Sequence, residues 1–137
     1  MSIDYGDKRI GIALSDPMQT ISYPLCVINQ KNKINSINEI LKIAKEKEVE
    51  KLIIGLPLSM SGNYSEQTKK VISFKELLEN EISNQRIKLY IDTIDERLSS
   101  VSAKSIMLEQ GIKTGHNKGK IDQLSAAIIL QEYLDSK

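Results

Sequence analysis

The run Lys51-Leu52-Ile53-Ile54-Gly55 constrains the fold more than any other stretch of this chain. Its uninterrupted apolar centre reads as a strand covered on both faces, and such strands belong to parallel sheets flanked by helices. Both flanks agree. Upstream, residues 34–48 predict a helix with Ile34, Ile37, Ile40, Leu41 and Ala44 on one stripe and lysines and glutamates opposite. Downstream, Leu56-Pro57-Leu58 ends the strand and Ser59 to Asn63 makes a polar loop containing Gly62. A second helix, residues 64–82, turns Val71, Phe74, Leu78 and Ile82 inward.

Three strands precede this unit. Residues 2–5 and 9–14 read as a hairpin with Gly6-Asp7 as a two-residue turn, glycine reaching positive φ without a Cβ clash. Residues 21–28 make a weaker strand interrupted by Pro24, which suits a sheet edge. Beyond the second helix, Ile87 to Ile91 alternates apolar with polar as a strand. Ser99 or Ser100 caps a third helix that stops at Gly111, and residues 121–135 form a last helix with a broad apolar face. The order β-β-β-α-β-α-β-α-α predicts one α/β domain over residues 1–137: an antiparallel meander followed by crossover units, with helices on both faces of the sheet. Ligands of such sheets gather at strand carboxyl ends, where Asp4, Gly55-Leu56-Pro57 and the segment Asp92 to Arg97 all lie.

Asp4 stands inside an otherwise apolar strand, where an ionised carboxylate is costly unless its charge is compensated. A divalent cation supplies that compensation and gives the residue a use. A lone aspartate at a strand end more often simply faces water, but two further acids change the weighing. Glu96 sits between Asp95 and Arg97; Asp95 reads as an exposed connection residue, whereas Arg97 can hold Glu96 or grip a phosphate bidentately. Asp122 falls in the first turn of the last helix, where dipole stabilisation alone would account for it. Together Asp4, Glu96 and Asp122 can converge as an oxygen-only cluster of the kind that takes Mg²⁺ or Mn²⁺. Two such ions about 3.5–4 Å apart clamp a phosphodiester and activate water. Lys8 and Arg9 border Asp4, and the loop from Lys113 to Lys120 holds Lys118 and Lys120 with two glycines and no opposing acid, able to track a phosphate backbone. His116 in that loop is a solvated residue which this chemistry does not need.

Other classes are disfavoured. A net charge of +1 announces no global basic field, and five tyrosines, one phenylalanine and no tryptophan make a poor stacking platform for single strands. Cys26, the only cysteine, packs as a small hydrophobe in the run Pro24-Leu25-Cys26-Val27-Ile28. No run approaches membrane-spanning length and no leader-like segment opens the chain, so the expected compartment is the cytoplasm.

Taken in order, several segments resemble the YqgF (RuvX) family of ribonuclease H-like proteins. They are Asp4-Tyr5-Gly6-Asp7-Lys8-Arg9-Ile10-Gly11, Ser15-Asp16-Pro17, Gly55-Leu56-Pro57-Leu58, Met60-Ser61-Gly62, Asp95-Glu96-Arg97-Leu98-Ser99-Ser100 and Lys120-Ile121-Asp122-Gln123-Leu124-Ser125-Ala126-Ala127. The resemblance implies a ribonuclease H-like three-layer fold on a mixed five-stranded sheet. It also implies a metal-dependent endonuclease of the kind described for maturation of pre-16S ribosomal RNA, or in an older description a Holliday-junction resolvase. The family's acidic positions carry over to Asp4, Glu96 and Asp122. Two departures are visible: only three residues precede Asp4, and Ser99-Ser100 stands where a threonine pair is usual. Related resolvases place their second acid at the end of a different strand, which here ends in Gly55-Leu56-Pro57 without one.

The leading expectation is hydrolysis of structured RNA at a carboxylate–metal site, with Arg97, Lys8, Arg9, Lys118 and Lys120 steadying phosphates. Either a monomer or a homodimer fits it. A resolvase of branched DNA shares the chemistry and needs a symmetric dimer. A nucleotide switch of the actin-like type needs two such lobes, and a non-catalytic adaptor would keep the fold without binding metal.

Overall fold

The first strand decides where everything else goes, because its two faces differ in kind. In the computed structural model, which describes residues 1–59, 61–96 and 118–136, β1 (Ser2–Tyr5) turns Ile3 and Tyr5 to one side and Ser2 and Asp4 to the other. It lies at the centre of a five-stranded sheet. β2 (Arg9–Ser15) pairs antiparallel with it and β3 (Ser22–Asn29) antiparallel with β2. β4 (Lys51–Leu56) and β5 (Tyr90–Asp95) continue in parallel on the other side, giving the order β3-β2-β1-β4-β5. The mixed sheet and the edge position of the proline-bearing third strand are as the sequence predicts.

The Ile3 face carries the main core. α1 (Lys33–Glu46) and α2 (Glu66–Asn84) cover it, burying Ile37, Ile40, Leu41, Val71, Phe74 and Leu78 against Ile10, Ile12, Leu52 and Ile54. Tyr5 meets Phe74 with ring centroids 4.6 Å apart. Ile34, expected on the inward stripe, is instead 53% exposed, and Ser36 occupies the buried place in that first turn. α1 is capped by Asn32, whose side chain accepts from the Asn35 N–H. α2 starts with a capping box between Ser65 and Thr68; the Thr68 hydroxyl also donates to the Pro57 carbonyl, tying the loop after β4 to the helix.

The opposite face is covered by α3 (Lys118–Asp135), and it is built from small residues. Ser2, Gly11 and Ala13 let the helix settle close to the sheet; Ser2 Oγ donates to the Ala126 carbonyl and Ser22 Oγ to that of Ala127. Ala126, Ile129 and Leu130 fill the interface with Ile53.

Three further expectations need correction. The β1–β2 connection is not a two-residue turn: Tyr5 pairs with Ile10, so four residues intervene, and Gly62 alone among the described glycines has positive φ (86°). Gly6 is needed for space, since a Cβ there would sit 2.6 Å from the Arg9 carbonyl oxygen. The last strand is shifted from 87–91 to Tyr90–Asp95, because Ile87 and Leu89 pack under the sheet before the ladder opens at Lys51–Tyr90. The last helix begins three residues earlier than expected, at Lys118. The predicted helix from Ser99 or Ser100 to Gly111 lies outside the described residues.

Candidate active site

Asp4 lies at the carboxyl end of the central strand, on the α3 face, beside Gly11 of β2. The parallel register, with Ile3 opposite Ile54, brings Gly55 alongside it on β4. Glu96 follows β5, one strand further out, and its N–H donates to the Leu56 carbonyl. To reach Asp4, Glu96 must cross β4. Gly55 makes the crossing possible: a Cβ there would overlap Glu96 Oε2 and stand 2.7 Å from Ile129 Cδ1. Across that gap the Asp4 and Glu96 side chains share a hydrogen bond.

Asp122 arrives from the other side on α3. Gly11 permits this approach, since a Cβ there would overlap the Asp122 carbonyl. Because the helix starts at Lys118, Asp122 falls in its second turn, beyond the reach of the helix dipole that would otherwise account for it. Its Oδ2 accepts from Arg9 Nε at 2.8 Å, and both side chains are about a quarter to a third exposed. Arg9, expected at a phosphate, is thus engaged with the third acid.

Electrostatics mark the pair as unusual. Burial, followed by the charge of Asp122, raises the Asp4 carboxyl to about 7, although the hydrogen bond from Glu96 opposes the rise. Burial, then the charge of Asp4 and the bond between them, raises Glu96 to about 9, with smaller contributions from Asp95 and Glu132. Two carboxylates in contact cannot both ionise cheaply, so near neutrality the pair keeps a proton between them. A divalent cation with oxygen ligands fits such a pair, because it can replace that proton and relieve both carboxylates. Asp122 stands close enough for its charge to be felt by Asp4 but is turned to Arg9. Among the described residues no three acids are grouped tightly enough to share one ion as they stand.

Lys8 and Lys120 are exposed at this end of the sheet. Arg97 and His116 lie outside the described residues, as does the side chain of Lys118. Sequence reasoning missed Gly55 and Gly11 as shapers of the site, although a glycine within a strand pattern is itself a sign of close approach. It also passed over Glu132, which carries no motif. Asp95, read as an exposed connection residue, is the exposed last residue of β5 and lends its charge to the field on Glu96.

The profile of the RuvX family, described as Holliday junction resolvase, matches residues 1–136. The chain belongs to the RuvX family. Relatives named "Putative pre-16S rRNA nuclease" agree across this RuvX chain. The protein of Clostridioides difficile is 41% identical over 137 residues (100% of this chain, 94% of its own), and that of Clostridium novyi 40% over 136 (99% and 97%). That of Desulforamulus reducens is 39% identical over 136 (99% and 96%). Among solved structures, RuvC of T. thermophilus in complex with a Holliday junction substrate has a TM-score of 0.53 at 13% identity, covering 98% of this chain and 91% of that one. The yeast mitochondrial Holliday junction resolvase Ydc2 has the same TM-score and identity, with 96% and 75% covered. These two likenesses establish the ribonuclease H-like fold of this RuvX member.

Proposed function

We propose that this chain is a divalent-cation-dependent endonuclease that cuts phosphodiester bonds in structured RNA, acting in the cytoplasm in 5′-end processing of pre-16S ribosomal RNA. The observation that carries the reading is the contact of Asp4 with Glu96 through the gap at Gly55, within the field of Asp122. The names of the relatives supply the RNA.

Asp4, at the centre, is the carboxylate shared between the other two; Glu96 holds one side of the site and Asp122 the other, once its bond to Arg9 opens. When bound, Mg²⁺ or Mn²⁺ supplies the charge that steadies the phosphate and lowers the pKa of a water. The chain's own residues set where this happens. β1 and β4 fix the Asp4 oxygens against a rigid sheet, and Glu96 is held over backbone that offers no competing side chain. Lys8 and Lys120 stand at the rim to meet phosphates, joined by Arg97 and Lys118 from the set expected from the sequence, while Arg9, its fifth member, is paired with Asp122. One copy carries all three acids, so a single cut needs a monomer only.

The family's description favours a second reading, resolution of branched DNA, which uses the same site and needs a homodimer for paired cuts. Purified protein with Mg²⁺ or Mn²⁺ is expected to cut a folded precursor RNA in preference to a four-way DNA junction. Asp4→Asn is expected to lower the rate at least 100-fold. Undiminished cutting by a folded Asp4→Asn protein would remove Asp4 from the chemistry.

A further inference from the structure

Cations near the site differ in whether an acid already claims them. Arg9 is bound to Asp122, and Lys70 to Asp7 at 2.9 Å. The segment leading from β3 into α1, Gln30-Lys31-Asn32-Lys33, is different. Both lysines are exposed, and neither has an acidic partner among the described residues. From Pro17 to Asn38 the sequence contains no acid at all, in a chain whose net charge is only +1.

This segment is fixed at the same end of the sheet as Asp4. Gln30 N donates to the Lys8 carbonyl at 2.8 Å, and Gln30 Nε2 donates to the carbonyls of Gly6 at 2.7 Å and Asp7 at 3.2 Å. The β1–β2 loop and the β3–α1 segment are thereby one ledge, carrying Lys8, Lys31 and Lys33 in succession. β3 lies two strands from β1, about 10 Å across the sheet. α1 leads from it to the face opposite the Asp4 side chain, so an RNA strand running from Asp4 to Lys31 and Lys33 passes Lys8 over the end of the sheet. The first turn of α1 holds no acid and starts with Lys33, so the positive end of the helix adds to the lysines instead of being offset. Exposed Asn29 and Asn32 interleave with them, and such amides serve phosphate and sugar contacts. The other end of the sheet contrasts: Lys47, Lys51 and Lys88 there are interspersed with Glu48 and Glu50 around a cavity of about 850 Å³.

Resting on the nuclease reading above, we propose that Lys31 and Lys33, with Lys8, form a phosphate-binding ledge that holds the RNA backbone on one side of the cut. The ledge positions the substrate without touching the reacting atoms, so its loss raises KM and leaves kcat nearly intact.

The test measures binding of a fluorescent folded RNA to the full chain carrying Asp4→Asn, over 50–300 mM salt, with and without Lys31→Gln plus Lys33→Gln. Losing two phosphate contacts is expected to reduce the slope of log K against log salt by about 1.4–1.8 and to weaken Kd roughly tenfold near 100 mM. The pair Lys47→Gln plus Lys88→Gln, at the far end, should change neither. An unchanged slope in the Lys31/Lys33 variant, or loss of its circular dichroism signal without a matching loss in binding, overturns the ledge. So does an equal loss in the far-end variant. Binding is read without cleavage, so the two proposals fail separately. A protein that shows the slope change but never cuts keeps the ledge and loses the nuclease; one that cuts with an unchanged slope does the reverse.

Discussion

Asp4→Asn should make this fold more stable. The Asp4 carboxyl is raised from 3.8 to about 7, chiefly by burial, and one pKa unit corresponds to about 1.4 kcal/mol. At pH 7.5 the folded chain therefore carries about 4 kcal/mol of unfavourable ionisation at this position, an upper bound on what an amide can return. Asparagine still buries a polar group, but its Nδ2 can donate to Glu96, leaving a net gain of about 2 kcal/mol. For a domain of this size that is an increase in Tm of about 8 °C. The sign in pH follows from the raised values. Between about pH 4 and 9 the folded pair holds more protons than the unfolded chain, so wild-type stability falls as pH rises through that window. The amine of Met1, lowered by burial to about 6, acts in the opposite sense between about pH 6 and 8, but it does so equally in both proteins. The readout is thus the difference between wild type and variant in thermal melts from pH 5 to 9 with EDTA present: small at pH 5 and widening upward. Adding Mn²⁺ should raise the wild-type Tm and not that of the variant. A variant less stable than wild type at pH 8, with a gap independent of pH, would refute the claim that this carboxylate pair is electrostatically strained.

Two other substitutions test the architecture around that pair. Gly55→Ala inserts a methyl group into the space used by Glu96 Oε2 and Ile129, and is expected to cost about 1–3 kcal/mol in denaturant melts and to lower cutting at least 100-fold. Arg9→Gln frees Asp122; the partly exposed ion pair is worth at most about 1 kcal/mol, so Tm should move little while Mn²⁺ binds more tightly in calorimetry. If Arg9 gripped phosphate instead, the salt slope of RNA binding would fall by about 0.7–0.9 in this variant.

Much of the layout was legible because alternation and helical periodicity are strong where one face is buried. The covered strand Lys51–Leu56 and the α2 stripe of Val71, Phe74, Leu78 and Ile82 stand where their patterns put them. The failures share a cause. Ile34 has the right spacing for the core, but Ser36 and the Asn32 cap set the entry angle of α1, and a residue in the first turn clears the sheet. β5 is an edge strand whose Asp92, Thr93 and Asp95 obscure its alternation, so its start was read too early from Ile87 and Leu89. For the site, the three acids were visible as residue types, but the route of Glu96 across β4 was not. A gap is written in the sequence as the absence of a side chain, and only the pairing of β1 with β4 shows which absence matters.

The seam between Ser2 and Ala126, 124 residues apart in sequence, bears on biosynthesis. Asp4 is synthesised well before the acids proposed to join it, Glu96 and Asp122, and α3 cannot dock until its own residues have left the ribosome. On the proposed reading, a growing chain is therefore inert toward the RNA around it until α3 has emerged and docked.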